Sequence, residues 1–213
     1  MKAALVLDAQ SPSLLQHVGE INRILRNLTD QLSSFELWLF YRDNPPQVIP
    51  EIDVKPTNIK LIALKNRFSP EVYLQTLAQL SKSPSLDLIL FPSDGLSEEL
   101  ATRLAYRLDG SSCLQVESCK MKMGKLVVSK PVYGHHLTAE FMLNHSPYCL
   151  SLAKFPCHPA EMVSLDDSIL EVITPVQTDC DWITKTTVIQ DSEEFDLKEA
   201  DRVLVVGLGA KSK

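Results

Sequence analysis

The first 110 residues alternate short apolar runs with stretches of helical period, and this pattern constrains the fold most. The runs are AALVLD (3–8), FELWLFY (35–41), IKLIAL (59–64) and LDLILFP (86–92). Such continuous apolar character predicts strands buried on both faces, as in a parallel sheet. Ser11-Pro12 offers a cap and a proline at the first helical position, where no amide donor is needed. Leu14, Val18, Ile21, Leu25 and Leu28 then share one face, so a helix is expected to about Asp30. Ser69-Pro70-Glu71 repeats the start signal for a helix to about Leu80. A third helix is expected over about 97–108, with Leu100, Leu104 and Leu108 as its seam. Strands joined through helices imply crossovers and parallel pairing. The expected class is α/β: a Rossmann-like parallel sheet with flanking helices and a β-rich hairpin extension.

Four prolines (45, 46, 50 and 56) mark 42–58 as a loop. Past Gly110 the texture turns to strand: 111–119 and 125–133 read as a hairpin around a Lys/Gly turn, and 148–153, 169–174 and 182–190 as further strands. The acidic segment DSEEFDLKE (191–199) resembles linker composition, followed by an apolar strand and a Gly-x-Gly turn. Expected organisation is therefore an α/β domain over 1–190, a linker over 191–201, and the opening strand and turn of a second domain over 202–213.

Lys and Arg number 21 against 27 Asp and Glu, a net charge of −6, so no nucleic-acid partner is expected. Lys120, Lys122 and Lys125 read as a solvated hairpin tip. MKAALVLDAQ has no secretory apolar region, and no run approaches the ~20 residues of a membrane span. A cytoplasmic location without membrane insertion is the expectation. Cys113, Cys119, Cys149, Cys157 and Cys180 form no CxxC pair and read as reduced thiols.

Three places invite a site. Gly207-Leu208-Gly209 follows a strand, as glycines that let backbone approach a phosphate often do, but no helix follows within the sequence. Ser93, Asp94 and Gly95 stand at the carboxyl end of a strand, where α/β folds bind ligands and where helix caps also occur. Asp8 ends an equivalent strand and either contributes to a crevice or simply terminates the strand. His135-His136, His145 and Cys157-His158 match no paired-ligand zinc spacing, so no metal is expected. There is no nucleophile elbow, Walker loop or HExxH motif, and a non-catalytic role is the expectation.

FPSDGLSEELATRLAYRL (91–108), LQVESCKMKMGKLVVSKPVYGHHLTAEF (114–141) and LKEADRVLVVGLGAKS (197–212) together resemble the alpha subunits of electron transfer flavoproteins, including FixB-like members. The resemblance implies an N-terminal domain that pairs with a beta subunit, in a heterodimer carrying electrons from a dehydrogenase to an acceptor. It also implies FAD as the family cofactor, with Gly207, Gly209, Lys211 and Ser212 as what is present of its loop. Leu208 stands where an arginine is usual, and leucine supplies neither charge nor hydrogen bonds to a flavin. CLSLAKFPCHP (149–159) departs from the family's Thr-x-Arg-Pro stretch. A truncated FAD domain is expected to leave the chain without bound flavin or redox activity alone. The alternative is a small adenine-nucleotide-binding α/β enzyme or binding module, using a crevice near Asp8, Ser93 and Asp94; a nonfunctional remnant is the third.

Overall fold

The computed structural model describes residues 1–64, 69–82, 85–165, 167–175 and 204. Backbone proximity divides the chain into Met1–Thr178 and Asp179–Lys213. The boundaries expected at 190 and 201, the strand at 182–190 and the glycine turn all lie outside the described residues.

Strands β1 (Lys2–Asp8), β2 (Ser34–Tyr41), β3 (Val48–Pro50), β4 (Asn58–Ala63), β5 (Leu88–Phe91) and β6 (Ser111–Val116) share the first half with helices α1 (Leu14–Arg26), α2 (Pro70–Leu80) and α3 (Gly95–Arg107). Six more strands follow: β7 (Ser118–Lys122), β8 (Lys125–Val132), β9 (Leu137–Met142), β10 (Tyr148–Leu152), β11 (Met162–Ser164) and β12 (Leu170–Ile173). The main sheet has seven strands in the order β12-β4-β2-β1-β5-β10-β6, and every neighbouring pair is parallel. Alternate side chains along each strand enter two separate cores. Leu5, Leu37, Leu39 and Leu90 pack under α1, while Ala4, Trp38, Phe40 and Ile89 pack under α2 and α3. That two-sided burial is why the strands read as continuous apolar runs.

Several elements differ from the sequence expectation. Helix α1 begins at Leu14, because Ser11–Ser13 form a turn in which Leu14 N–H donates to Ser11 O at 3.1 Å. It ends at Arg26 and gives way to a tight turn at Thr29–Gln31, although Leu28 remains fully buried. The segment 111–119 is not one hairpin arm. Gln115 takes a positive φ of 57°, and the ladder between β6 and β10 is irregular there. Strand β6 thus joins the main sheet, and the chain turns to start β7. Strands β7, β8 and β9 make a separate antiparallel ribbon. Met123 and Gly124, both at positive φ, close its first turn as a two-residue hairpin loop requires. Cys119, Leu126 and Val128 of this ribbon continue the core beneath α1.

Beyond β10 the chain crosses from one side of the sheet to the other. On its way Phe155 N–H donates to the Glu20 carboxylate at 3.3 Å and Ala160 N–H to Leu15 O at 2.9 Å. Strand β11 pairs antiparallel with β3, inside the segment expected to be loop, and β12 then adds to the β4 edge. Gly19 permits this passage: a Cβ there would collide with the His158 carbonyl.

Beneath α2, Glu36 and Lys60 form a buried ion pair at 2.7 Å on adjacent strands. Trp38 donates its indole N–H to the same carboxylate oxygen at 2.7 Å. These bonds offset the desolvation of both charges.

Candidate functional site

The sheet order reverses between β1 and β5, since the chain moves outward through β2 and β4 before returning to β5. A cavity of about 330 Å³ opens at the carboxyl ends of these two strands. Parallel sheets characteristically receive ligands at such a switch point, because the diverging connections leave a cleft. Asp8 and Asp94 both line it, so the crevice expected from the sequence brings these two residues together. Ser93 is not part of it. Its hydroxyl points to Glu20, donating at 2.7 Å, and it lines a different cavity with Gln115 and Lys154.

Asp8 is more than a strand terminator. One carboxylate oxygen accepts from Gln10 N–H at 2.9 Å. The other accepts from the Arg42 guanidinium at 2.9 Å and the Tyr73 hydroxyl at 3.4 Å. Burial, reinforced by the Asp8 charge, pushes the Tyr73 phenol well above its ordinary range, so it remains a neutral donor. Partial burial opposes the charge on Arg42, but the bond and attraction to Asp8 prevail and raise it. Asp94 caps α3, accepting from Ser97 N–H at 2.9 Å and the Ser97 hydroxyl at 2.8 Å. Capping and crevice lining are therefore the same residue's two roles.

His17 enters from α1 and was not evident as a site residue in the sequence. It is only 7% exposed, lines the crevice, and its ring has no hydrogen-bond partner among the described residues. Burial holds its imidazole below the usual 6.5, against the opposing pull of Asp94 and Glu20, with Lys154 assisting burial. Its place in the sequence carried a signal: it lies three residues after Leu14 and four before Ile21, within the buried stripe of α1.

The other candidates are dispersed. His135 sits at positive φ in the turn after β8, while His145 offers its backbone N–H to Ser111 Oγ at 3.1 Å. No group of three His, Cys, Asp or Glu among the described residues is placed to hold a metal. Cys119 and Cys149 are buried in the core, which pushes both thiols up to about 12, far from a nucleophilic thiolate. The four described cysteines are free thiols. Lys120 pairs with Glu140 at 2.7 Å, so part of the basic hairpin tip is tied down within the ribbon. No described helix is long and apolar enough to cross a membrane.

The crevice does not fit FAD. Its volume lies at the low end of the ~300–1,000 Å³ typical of ligand pockets. Two carboxylates face the space where a pyrophosphate would need amides or cations, and Arg42, a cation that lines it, is paired with Asp8. The expected flavin-loop residues Gly207, Gly209, Lys211 and Ser212 lie outside the described residues.

Comparison with known proteins addresses the rest. Residues 63–167 match the family model described as electron transfer flavoprotein domain. This stretch runs from the end of β4 through α2, β5, α3, the ribbon and β10 to β11. The chain is also 33% identical over 142 residues to YgcQ of Escherichia coli (strain K12), provisionally named an electron transfer flavoprotein subunit. The aligned region is 67% of this chain and 49% of the relative, so the chain spans about half the length of the curated relative it matches. Residues 63–167 are thus similar to an electron transfer flavoprotein domain, and the chain is similar over 142 residues to the YgcQ subunit.

Proposed function

We propose that this chain acts as an alpha-type subunit of an electron transfer flavoprotein, pairing with a beta-type subunit in electron transfer from a dehydrogenase. The observation that carries the reading is the match over 63–167, which includes the ribbon as well as the sheet. The similarity to YgcQ supports the same reading. In the ribbon, β9 leaves Leu137, Phe141 and Met142 at 59%, 43% and 46% exposure, with Tyr133 at 80% in the preceding turn. Leu137 and Phe141 stand on one face of β9 and Met142 on the other, and exposed apolar side chains of this kind are suited to docking a protein partner.

The role of the domain in this proposal is binding rather than redox chemistry. FAD, the family cofactor, is assigned to the loop around Gly207, Gly209, Lys211 and Ser212 and not to the crevice. Light scattering after size exclusion tests the pairing, with the chain mixed with the beta-type subunit encoded in the same organism. A one-to-one complex at micromolar concentration is expected. Two species that elute separately at that concentration would overturn the proposal.

A further inference from the structure

We infer that the crevice between β1 and β5 binds a compact, phosphate-free ring ligand carrying hydroxyl or amino donors, of the nucleoside class, anchored by His17, Asp8 and Asp94. The inference is independent of the electron-transfer reading, since it rests on a different part of the domain.

His17 is the most telling group. Among the described residues every fully buried side-chain nitrogen or oxygen has a partner, so the unbonded ring nitrogens of His17 are solvent-accessible and open to a ligand. The residue is 7% exposed overall and lines the cavity, with no hydrogen-bond partner for its ring among the described residues. In its neutral form it offers one donor and one acceptor, a pattern that heterocyclic edges and hydroxyls both match.

The charges select against phosphate. Asp8 and Asp94 present carboxylates to the space. The Arg42 guanidinium is engaged by Asp8. At the start of α3, the Ser97 amide that would otherwise greet an anion is already bonded to Asp94. The turn between β1 and α1 contains no glycine to bring backbone amides close to a phosphate. A ligand with donors is welcome at both carboxylates; an anion is repelled by them. Around these anchors Leu14, Leu96 and Leu100, with Pro12 and Pro92, form apolar walls suited to the faces of a flat ring.

Thermal shift and calorimetry on the full chain test this with adenosine, guanosine, cytidine and uridine, alongside AMP and inorganic phosphate. At least one nucleoside at millimolar concentration should raise Tm, and its monophosphate should bind at least ~10-fold more weakly, as expected when an anion is brought against two carboxylates. His17→Phe keeps the ring volume and should weaken that nucleoside about tenfold, the effect of one buried hydrogen bond. Leu96→Trp, at a half-buried wall position, should abolish the shift by filling the space while the apo protein remains folded. The inference is overturned if none of the four nucleosides shifts Tm, if AMP or phosphate binds as well as the nucleoside, or if folded Leu96→Trp binds unchanged.

Discussion

The main sheet and the ribbon treat the same kinds of side chain in opposite ways. In β1, Ala3, Ala4 and Leu5 are completely buried, and β10 is buried along its whole length. In β9, no side chain is fully enclosed, although Leu137, Phe141 and Met142 are as apolar as anything in the sheet. The main sheet lies between layers on both faces, whereas the ribbon packs through Cys119, Leu126 and Val128 and leaves its last strand uncovered. Apolar residues in the first region hold the fold together; in the second they are available to something else.

The sharpest way to test that contrast is to disturb the buried charge pair of Glu36 and Lys60. Lys60→Ala strands Glu36 beneath α2 and should destabilise the domain by ~3–5 kcal/mol in urea unfolding. Replacing both Glu36 and Lys60 with Met should restore most of that loss, and no restoration would mean that the pair is essential to the sheet. Leu90→Ala, at a fully buried position of β5, should cost ~2–5 kcal/mol in the same assay.

A smaller effect concerns His17. The folded state holds it below the unfolded value of 6.5, so on acidification the unfolded chain takes up the proton first. Stability from this group is complete above 6.5, falls as pH drops from there toward the lower folded value, and then levels off. His17→Phe should flatten the urea midpoint against pH across that window, and an unchanged slope would refute the assignment. Phe141→Ser should have the least effect on folding, within ~0.5 kcal/mol of wild type, because the residue is 43% exposed. The same substitution should measurably weaken the complex with a beta-type subunit. A large loss of stability would instead make β9 part of the core.

The buried strands were legible because burial on two faces removes any need for polar alternation, as in FELWLFY. Asp8 and Asp94 were legible as crevice residues because strand ends fix where their side chains can stand. Ser93 was not separable from its neighbour: one residue's step turns the side chain to Glu20, and Glu20 itself hides on the buried face of α1. Arg42, just past β2, and Tyr73 of α2 reach Asp8 through contacts set by the sheet order and by no local pattern. Strand β9 escaped notice because neither of its faces is buried, which removes the alternation that marks a strand. Strands β3 and β11 meet only through a pairing more than a hundred residues apart in sequence, with no turn signal between them.

The parallel addition of β12 at the far edge has a mechanical meaning. The chain enters the sheet at the amino end of β1, and the carboxyl end of β12 lies at the opposite pole, three ladders beyond it through β2 and β4. Tension applied between Met1 and Ile173 would run along the strands, loading the ladder hydrogen bonds in shear and together. The described domain is therefore built to resist being pulled by its ends more strongly than being peeled from its ribbon.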